Sequence, residues 1–213
     1  MSKGLFISFE GNDGSGKTSV LNALKEKLSK EGIEIVLTRE PGGNKIAEQI
    51  RNVILDKENT DMDSRTEALL YAAARRQHLV QNVYPLLDQG KIVISDRYID
   101  SSLAYQGYAR GIGIDNVYNI NMFATENTLP DLTILFDVTP EVGIARINAN
   151  ASREVNRLDL EVSSFHKKVY QGYKKVASKY PSRIKVIDAS KSFDEVLNEV
   201  YIIIKDIIKN NKD

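Results

Sequence analysis

The segment from Gly11 to Thr18 constrains the fold of this chain more than any other stretch, because it reads G-x-x-x-x-G-K-T. The run Leu5-Phe6-Ile7-Ser8-Phe9 just before it is short and apolar, as in a buried parallel strand. Apolar residues at helical spacing follow the segment, at Val20, Leu21, Leu24 and Leu28. The sequence therefore predicts a strand, a glycine-rich loop and a helix in that order, the context in which this motif binds phosphate.

The residue types of this loop suit the binding of a nucleotide. Glycines let the backbone curl so that several N–H groups point at phosphate oxygens, and the following helix N-terminus adds partial positive charge. Lys17 can reach the β- and γ-phosphates, and the Thr18 hydroxyl can ligate Mg²⁺. The alternative is a chance match in a glycine-containing turn, which the flanking segments disfavour. We predict a nucleoside triphosphate and Mg²⁺ at Gly11, Asn12, Asp13, Gly14, Ser15, Gly16, Lys17 and Thr18.

Composition narrows the class of protein. A chain of 213 residues, 42% hydrophobic and 27% charged, suits one α/β domain, and we expect a single domain over 1–213. The formal net charge is zero, which argues against nucleic acid and anionic membranes as partners. No apolar run approaches a membrane span, and the predicted first strand leaves no room for a signal peptide. We therefore expect a cytoplasmic enzyme.

Apolar runs and helical patterns alternate along the rest of the chain. Further strands are predicted at 33–37, 92–95, 132–138 and 184–187. A long helix is predicted at 64–89, with Ser64 and Glu67 as a capping box and Pro85 bending or shortening it. The stretch 99–107 is polar and aromatic, and no helix is predicted there. The alternation predicts an α/β fold with a five-stranded parallel sheet flanked by helices.

Charged residues stand where the second and third strands end, at the sheet edge that binds ligands in α/β proteins. Asp96 ends the third strand as a magnesium-binding carboxylate would, although a helix or loop cap is the alternative. The guanine-binding sequence N-K-x-D is missing, because Asn44-Lys45-Ile46-Ala47 lacks the aspartate. Two long helical segments carry polar residues, which favours phosphoryl transfer to a small acceptor. Such transfer needs a second anion site, a base pocket and a closing lid.

Several blocks of sequence carry a family resemblance over nearly the whole chain. They are Glu10 to Thr18, Thr38 to Gly43, Tyr71 to Arg75, Asp96 to Gly107, Pro130 to Leu132, and Arg157 with Glu161. Together they resemble bacterial thymidylate kinase. The Arg-Glu-Pro-Gly-Gly and Asp-Arg-Tyr…Ala-Tyr-Gln-Gly blocks are specific, whereas the phosphate-binding loop alone is not. The resemblance implies a P-loop fold with a lid at about 149–158, a homodimer, and the reaction of ATP with dTMP to give ADP and dTDP.

The resemblance also implies an acceptor site for dTMP. In it, Arg51 grips the phosphate, Tyr71 stacks on thymine, Arg75 donates to O4 and Tyr105 crowds the 2′ position. Ser102 and Gln106 contact the N3 side of the base, and Asp13 binds the 3′-hydroxyl of the sugar. Near the phosphates, Glu40 organises water or Mg²⁺, and Arg97 bridges the donor and acceptor phosphates. Cytosine would present a donor to Arg75 and lose affinity. The alternatives are that Arg51 is a solvated helix charge and Tyr71 ordinary core.

The remaining roles concern catalysis and the lid. Because 12–15 holds no arginine, the resemblance implies that lid arginines supply positive charge, with Arg153 first and Arg157 second. Arg146 would frame the adenine, so Arg146 and Arg157 join the ATP site. The implied catalytic residues are Asp13, Lys17, Arg97 and Arg153, and the implied Mg²⁺ residues are Thr18 and Asp96. His78 and His166 are predicted to be structural or surface residues.

Two alternatives stay open. One is a nucleoside monophosphate kinase for dUMP, dCMP, AMP or GMP, against which Tyr71, Arg75 and Tyr105 argue. The other is a non-catalytic regulator that changes shape on binding ATP. A regulator needs neither a second anion site nor an acceptor pocket.

Overall fold

The strands form one parallel sheet, which confirms the predicted α/β fold class. In the computed structural model, which describes residues 4–148 and 156–211, the strands are β1 (Leu5–Gly11), β2 (Ile35–Arg39), β3 (Ile92–Asp96), β4 (Leu132–Asp137) and β5 (Ile184–Asp188). Their order is β2-β3-β1-β4-β5. Phe9 of β1 is in register with Asp96 of β3. The carboxyl ends of β1 and β3 therefore meet where the glycine loop begins.

Helical segments connect the strands. They are α1 (Lys17–Ser29), α2 (Lys45–Leu55), α3 (Ser64–His78), a π-helix (Leu79–Val83), α4 (Tyr84–Asp88), α5 (Ile99–Ser102), a second π-helix (Leu103–Ala109), α6 (Ile114–Thr125), α7 (Pro140–Asn148), a 3₁₀ turn (Arg157–Leu160), α8 (Ser163–Lys179) and α9 (Phe193–Asn210). None of these helices is both long enough and apolar enough to span a membrane, within the residues that the structure describes.

Apolar side chains cover both faces of the sheet. On one face, Ile7 of β1 belongs to a core with Leu24 of α1 and Val200 of α9. On the other face, Phe6 belongs to a core with Leu103 and with Val169 of α8. Burial on both faces explains why the strands are continuous apolar runs in the sequence.

The predicted helix at 64–89 differs from the structure in its start and its continuity. Asp63, not Ser64, caps α3, because its Oδ1 accepts from the backbone N–H groups of Arg65 and Thr66, each at 3.0 Å. The helix then passes through the π-helix at Leu79–Val83 into α4, which has proline in its first turn. The widened turn accommodates a residue that has no backbone N–H.

Residues 99–109 are helical, although no helix is predicted there. Ile99 and Leu103 are fully buried at a spacing of four, and the polar residues between them hide this apolar stripe in the sequence. Gly172 of α8 allows close packing on the segment, because a Cβ there would lie 2.8 Å from the carbonyl oxygen of Ala104. This packing fixes the position of the helical segment 99–109, which carries the predicted base-contacting residues Ser102 and Gln106.

Candidate active site

The glycine loop joins β1 to α1 and holds the Lys17 ammonium group. Nζ of Lys17 donates to Gly11 O at 2.9 Å, to Asn12 O at 3.0 Å and to Ser15 Oγ at 3.2 Å. Burial and the nearby positive charge of Arg97 lower the pKa of Lys17 to about 8. A buried cation with a lowered pKa gains from an incoming anion, so the loop is electrostatically suited to phosphate.

The loop is fixed against α7 by a close backbone contact. Gly14 has φ of 74°, and a Cβ there would lie 2.1 Å from the carbonyl oxygen of Gly143. Asn12 Nδ2 adds a hydrogen bond of 3.2 Å to Val138 O. Only glycine permits both this conformation and this approach. The structure thus explains why the loop needs glycine at position 14.

A hydroxyl and a carboxylate meet at the start of α1. Thr18 Oγ1 donates to Asp96 Oδ2 at 2.8 Å, which brings together the two residues predicted to hold Mg²⁺. Both oxygens are hard ligands, and Mg²⁺ commonly uses one or two such protein groups together with substrate phosphates. The residues present therefore fit the ion. A cluster of three or more acidic, histidine or cysteine ligands is missing among the described residues.

Arg97 stands between the glycine loop and the predicted acceptor site. Its Nη1 donates to Gly11 O at 3.0 Å, and its Nη2 donates to Asp13 Oδ1 at 2.7 Å. Nη1 also donates to the hydroxyls of Ser101 at 3.1 Å and Tyr173 at 2.9 Å. The backbone of Arg97 has φ of 72°, which is costly for a side chain of this size. The contacts hold the guanidinium at one position in spite of that cost.

Glu10 lies beneath Arg97 and was not predicted as a site residue. Its carboxylate accepts from the backbone N–H of Tyr98 at 2.7 Å and from the hydroxyls of Ser101 at 2.5 Å and Tyr173 at 3.1 Å. Burial and the neighbouring Asp100 raise the pKa of Glu10 to about 7. In the sequence, Glu10 ends an apolar strand and opens the first block that carries the family resemblance, but neither feature assigns it a role.

The residues predicted for the acceptor all line one cavity of about 300 Å³. They are Asp13, Glu40, Arg51, Tyr71, Arg75, Arg97, Ser102, Tyr105 and Gln106. Two of them, Arg97 and Asp13, also bond to each other beside the glycine loop, where Arg97 donates to Gly11 O. The cavity volume lies at the lower end of small-molecule sites, which are roughly 300–1,000 Å³. The structure thus forms a second substrate-sized site next to the phosphate-binding loop.

Arg75 lines this cavity and is held rigidly. The side chain is 2% exposed. Its Nε donates to Glu40 at 2.6 Å, Nη2 to Tyr98 O at 3.0 Å, and Nη1 to Ser102 Oγ at 3.1 Å and to Asn121. A guanidinium has five N–H groups, and bonds to described residues engage four of them.

Glu40 is oriented from both sides. Burial alone would raise the pKa of Glu40, but Arg75 and His78 hold this pKa below its ordinary value. His78 is fully buried, with Nδ1 at 2.9 Å from Glu40 Oε1 and Nε2 at 2.6 Å from Thr38 Oγ1. Of the two places predicted for His78, the structure selects the interior.

Gln106 belongs to a group of side chains that donate hydrogen bonds to one buried carboxylate, that of Glu67. Its Nε2 donates to Oε1 of Glu67 at 2.8 Å. Glu67 also accepts from Arg110 at 3.0 Å and from Arg157 at 2.5 Å, and Arg157 Nε donates to Ile54 O at 2.8 Å. Arg157, predicted as a lid residue for ATP, is only 4% exposed, so its guanidinium is committed to α2 and α3 in this structure. The local sequence does not reveal this burial, because the carboxylate partner lies 90 residues away.

The other predicted cations are distributed as follows. Arg51 Nη1 donates to Pro41 O at 3.1 Å and lines the cavity. Arg146 Nη1 donates to Ala189 O at 2.9 Å, in the loop after β5. Arg153 lies outside the described residues, as does most of the predicted lid at 149–158.

A phosphate-binding loop beside a second polar cavity defines a P-loop phosphoryltransferase for a small acceptor. The family description "Thymidylate kinase" matches residues 9–200. Similar proteins include the thymidylate kinases of Bacillus velezensis, 59% identical over 97% of each chain, and of Clostridium novyi, 59% identical over 94% of this chain and 98% of the relative. That of Oceanobacillus iheyensis is 55% identical over 98% of this chain and 93% of its own. The chain belongs to the thymidylate kinase family.

Proposed function

We propose that this chain transfers the γ-phosphoryl group of ATP to dTMP, giving ADP and dTDP, a step toward dTTP. One observation carries the proposal: the cavity that begins beside the glycine loop contains every residue expected for dTMP. Membership of the thymidylate kinase family supports the same reaction. A regulator that only binds ATP does not need such a cavity.

The donor side follows from the loop. Gly11 to Thr18 would hold the triphosphate of ATP, with Lys17 exchanging its loop carbonyls for phosphate oxygens. Thr18 and Asp96 would hold Mg²⁺, which supplies positive charge to the phosphates when bound. Arg146 remains our candidate for the adenine side.

Arg97 and Asp13 stand at the proposed point of transfer. Phosphoryl transfer is catalysed mainly by positioning and by stabilising charge on the transferring group. The Arg97 guanidinium, held by Asp13 and Gly11 O, would bridge donor and acceptor phosphates. Arg153 remains our candidate for a further cation, and Arg153→Ala should lower kcat far more than it raises the KM for dTMP. An unchanged kcat would remove Arg153 from the mechanism.

For the acceptor, we assign one part of the cavity to the phosphate of dTMP and another part to its thymine base. Arg51 and Arg97 would bind the phosphate, since a guanidinium fork matches its oxygens. Tyr71 would stack on the base, and the remaining Nη2 proton of Arg75 would meet O4. Burial raises the pKa of Tyr105 above its ordinary value, so its hydroxyl is neutral beside the deoxyribose.

The test is coupled ADP release with Mg-ATP and dTMP, dUMP, dCMP, the ribose form of TMP, AMP or GMP. We expect turnover with dTMP far above the others. Equal turnover with ribose and deoxyribose would remove the role of Tyr105. Acceptor-independent hydrolysis alone would overturn the kinase and favour the regulator.

We propose that the protein acts as a cytoplasmic, single-domain homodimer without a nucleic-acid partner. Apolar side chains are exposed on α2, α3 and α6, namely Ile46, Val53, Leu69 and Phe123, the last 90% exposed. Exposed apolar surface on adjacent helices suits an interface between copies. Sedimentation should give a dimer, and Phe123→Asp should weaken it. A wild-type monomer at micromolar concentration would overturn this proposal.

A further inference from the structure

The side-chain amide of Gln106 can present either hydrogen-bond character to a base. Its oxygen accepts, its nitrogen donates, and rotation about the last side-chain bond exchanges them. Thymine carries a donor at N3, whereas cytosine carries an acceptor there. A glutamine that is free to turn can therefore serve both bases. Selection requires something that holds the amide in one orientation.

Glu67 supplies that restraint. Its Oε1 receives Nε2 of Gln106 at 2.8 Å, and the carboxylate is completely buried. Burial alone would raise the pKa of Glu67. Hydrogen bonds from Arg110, Gln106 and Arg157 hold this pKa below its ordinary value. An ionised carboxylate only accepts hydrogen bonds, so the NH₂ group of Gln106 must face it.

The orientation of the other amide atom follows. Gln106 lines the cavity with its nitrogen already committed to Glu67, so its oxygen is left for a ligand. In the described part of the chain, Oε1 of Gln106 receives no hydrogen bond. Turning the amide around would place this oxygen against the carboxylate of Glu67, and two acceptors facing each other in a buried site repel.

The position of Glu67 on α3 relates it to the rest of the base site. Glu67, Tyr71 and Arg75 follow one another at intervals of four residues, so they lie on one helix face. Tyr71 and Arg75 line the cavity, and Glu67 reaches it through Gln106. One helix face therefore carries the proposed stacking ring, the proposed donor to O4 and the group that orients the N3 partner.

We propose that Glu67 is a positioning residue for base specificity: through Gln106 it presents a fixed acceptor that matches the N3 donor of thymine and opposes the N3 acceptor of cytosine. This inference rests on the proposed function, and in particular on the assignment of Gln106 to the N3 side. Arg75 opposes cytosine independently at position 4. Loss of the Glu67 restraint therefore changes the ratio between the two bases without making dCMP a good acceptor.

The test compares kcat/KM for dTMP and dCMP in Glu67→Gln. A neutral amide at position 67 lets Gln106 turn, so the ratio of dTMP to dCMP should fall about tenfold or more, the cost of one mismatched buried hydrogen bond. The matched control is Arg110→Gln, which removes another partner of Glu67 and keeps the bond to Gln106. Its ratio should equal that of the wild type, whatever its melting temperature.

Glu67→Gln could fail to fold, because Arg110 and Arg157 lose the carboxylate that they bind. A double variant keeps the proposal testable in that case. Glu67→Gln with Arg110→Gln removes one charge of each sign, and the ratio should fall as in the single variant. An unchanged ratio in folded Glu67→Gln or in the double variant overturns the role of Glu67.

A third variant separates this proposal from the proposed function. Gln106→Leu should lower kcat/KM for dTMP about tenfold. If it does while the Glu67 variants keep the wild-type ratio, Gln106 contacts the base and Glu67 does not orient it. If Gln106→Leu leaves dTMP turnover unchanged, both the assignment of Gln106 and the role of Glu67 are overturned. If wild type releases no ADP with dTMP, the proposed function itself fails.

Discussion

Tyr173→Phe tests whether the hydroxyl beneath Arg97 contributes to phosphoryl transfer. In the structure, Tyr173 OH accepts from Nη1 of Arg97 at 2.9 Å and donates to Glu10 at 3.1 Å. The substitution keeps the buried ring and its edge contact with Tyr105, whose centroid is 6.2 Å away. The hydrogen bonds of the hydroxyl to Arg97 and Glu10 are lost, together with its contact of 2.9 Å with Ser101 Oγ.

The magnitude follows from the contacts that remain. A hydrogen bond to a charged group contributes about 1.5–3 kcal/mol. Nη1 of Arg97 keeps Gly11 O and Ser101 Oγ as acceptors, which places the loss at the lower end, about 1.5 kcal/mol. A loss of this size in the transition state lowers kcat about tenfold. The base end of the cavity is untouched, so the KM for dTMP should change by less than about threefold.

The assay is coupled ADP release at saturating Mg-ATP with varied dTMP, together with thermal unfolding. Tyr84→Phe is the matched control, because its hydroxyl donates to Thr125 O at 2.7 Å and lies outside the cavity lining. That variant should lose stability and keep its kcat. Wild-type kcat in Tyr173→Phe, or an equal loss in both variants, would refute the argument.

Three further predictions concern the loop and the carboxylate below it. Because the pKa of Lys17 is lowered to about 8, the free enzyme loses this charge above that pH, and the Kd for Mg-ATP should rise up to about tenfold per pH unit; a flat profile from pH 7 to 9.5 would contradict this. Because the pKa of Glu10 is raised from 4.5 to about 7, the folded state binds more protons between these values, so the free energy of unfolding should fall as pH rises from 4.5 to 7. Urea unfolding of Glu10→Gln should show a weaker fall, and an identical pH profile would count against the assignment. Gly14→Ala should abolish Mg-ATP binding, because its Cβ would lie 2.1 Å from Gly143 O. The control is Gly32→Ala, where φ is 76° and the space is open, and it should lose only about 1 kcal/mol of stability. Equal effects of the two variants on ATP binding would refute the steric reason.

Local features of the sequence predict the main elements of this protein. The apolar runs place all five strands, and the glycine motif places the turn between β1 and α1. Both depend on neighbours within a few residues, so they can be recognised without a structure. Boundaries are less certain for the same reason: the second strand is predicted at 33–37 and observed at Ile35–Arg39. The pairing partner, β3, determines where that strand ends.

The family resemblance also predicts nine of the residues that line the proposed acceptor cavity, but not Leu55, Asn156 or Leu158. The hydrogen-bond partners of the groups behind that lining are not predictable from the sequence. Glu10, Tyr173, His78 and Glu67 are all buried and hydrogen-bonded. In the sequence, Glu10 is a polar residue at the end of a strand and His78 a lone histidine in a helix.

The division between the two kinds of information has a physical basis. The sequence by itself determined the alternation of strands and helices, the phosphate-binding loop and the types of side chain at the ligand edge, because these are set by spacing along the chain. Tertiary structure decided which charges are neutralised and how they are oriented. Tyr173 meets Glu10 across 163 residues, and Arg157 meets Glu67 across 90. A buried charge needs such a partner, and only the folded chain brings it within hydrogen-bond distance.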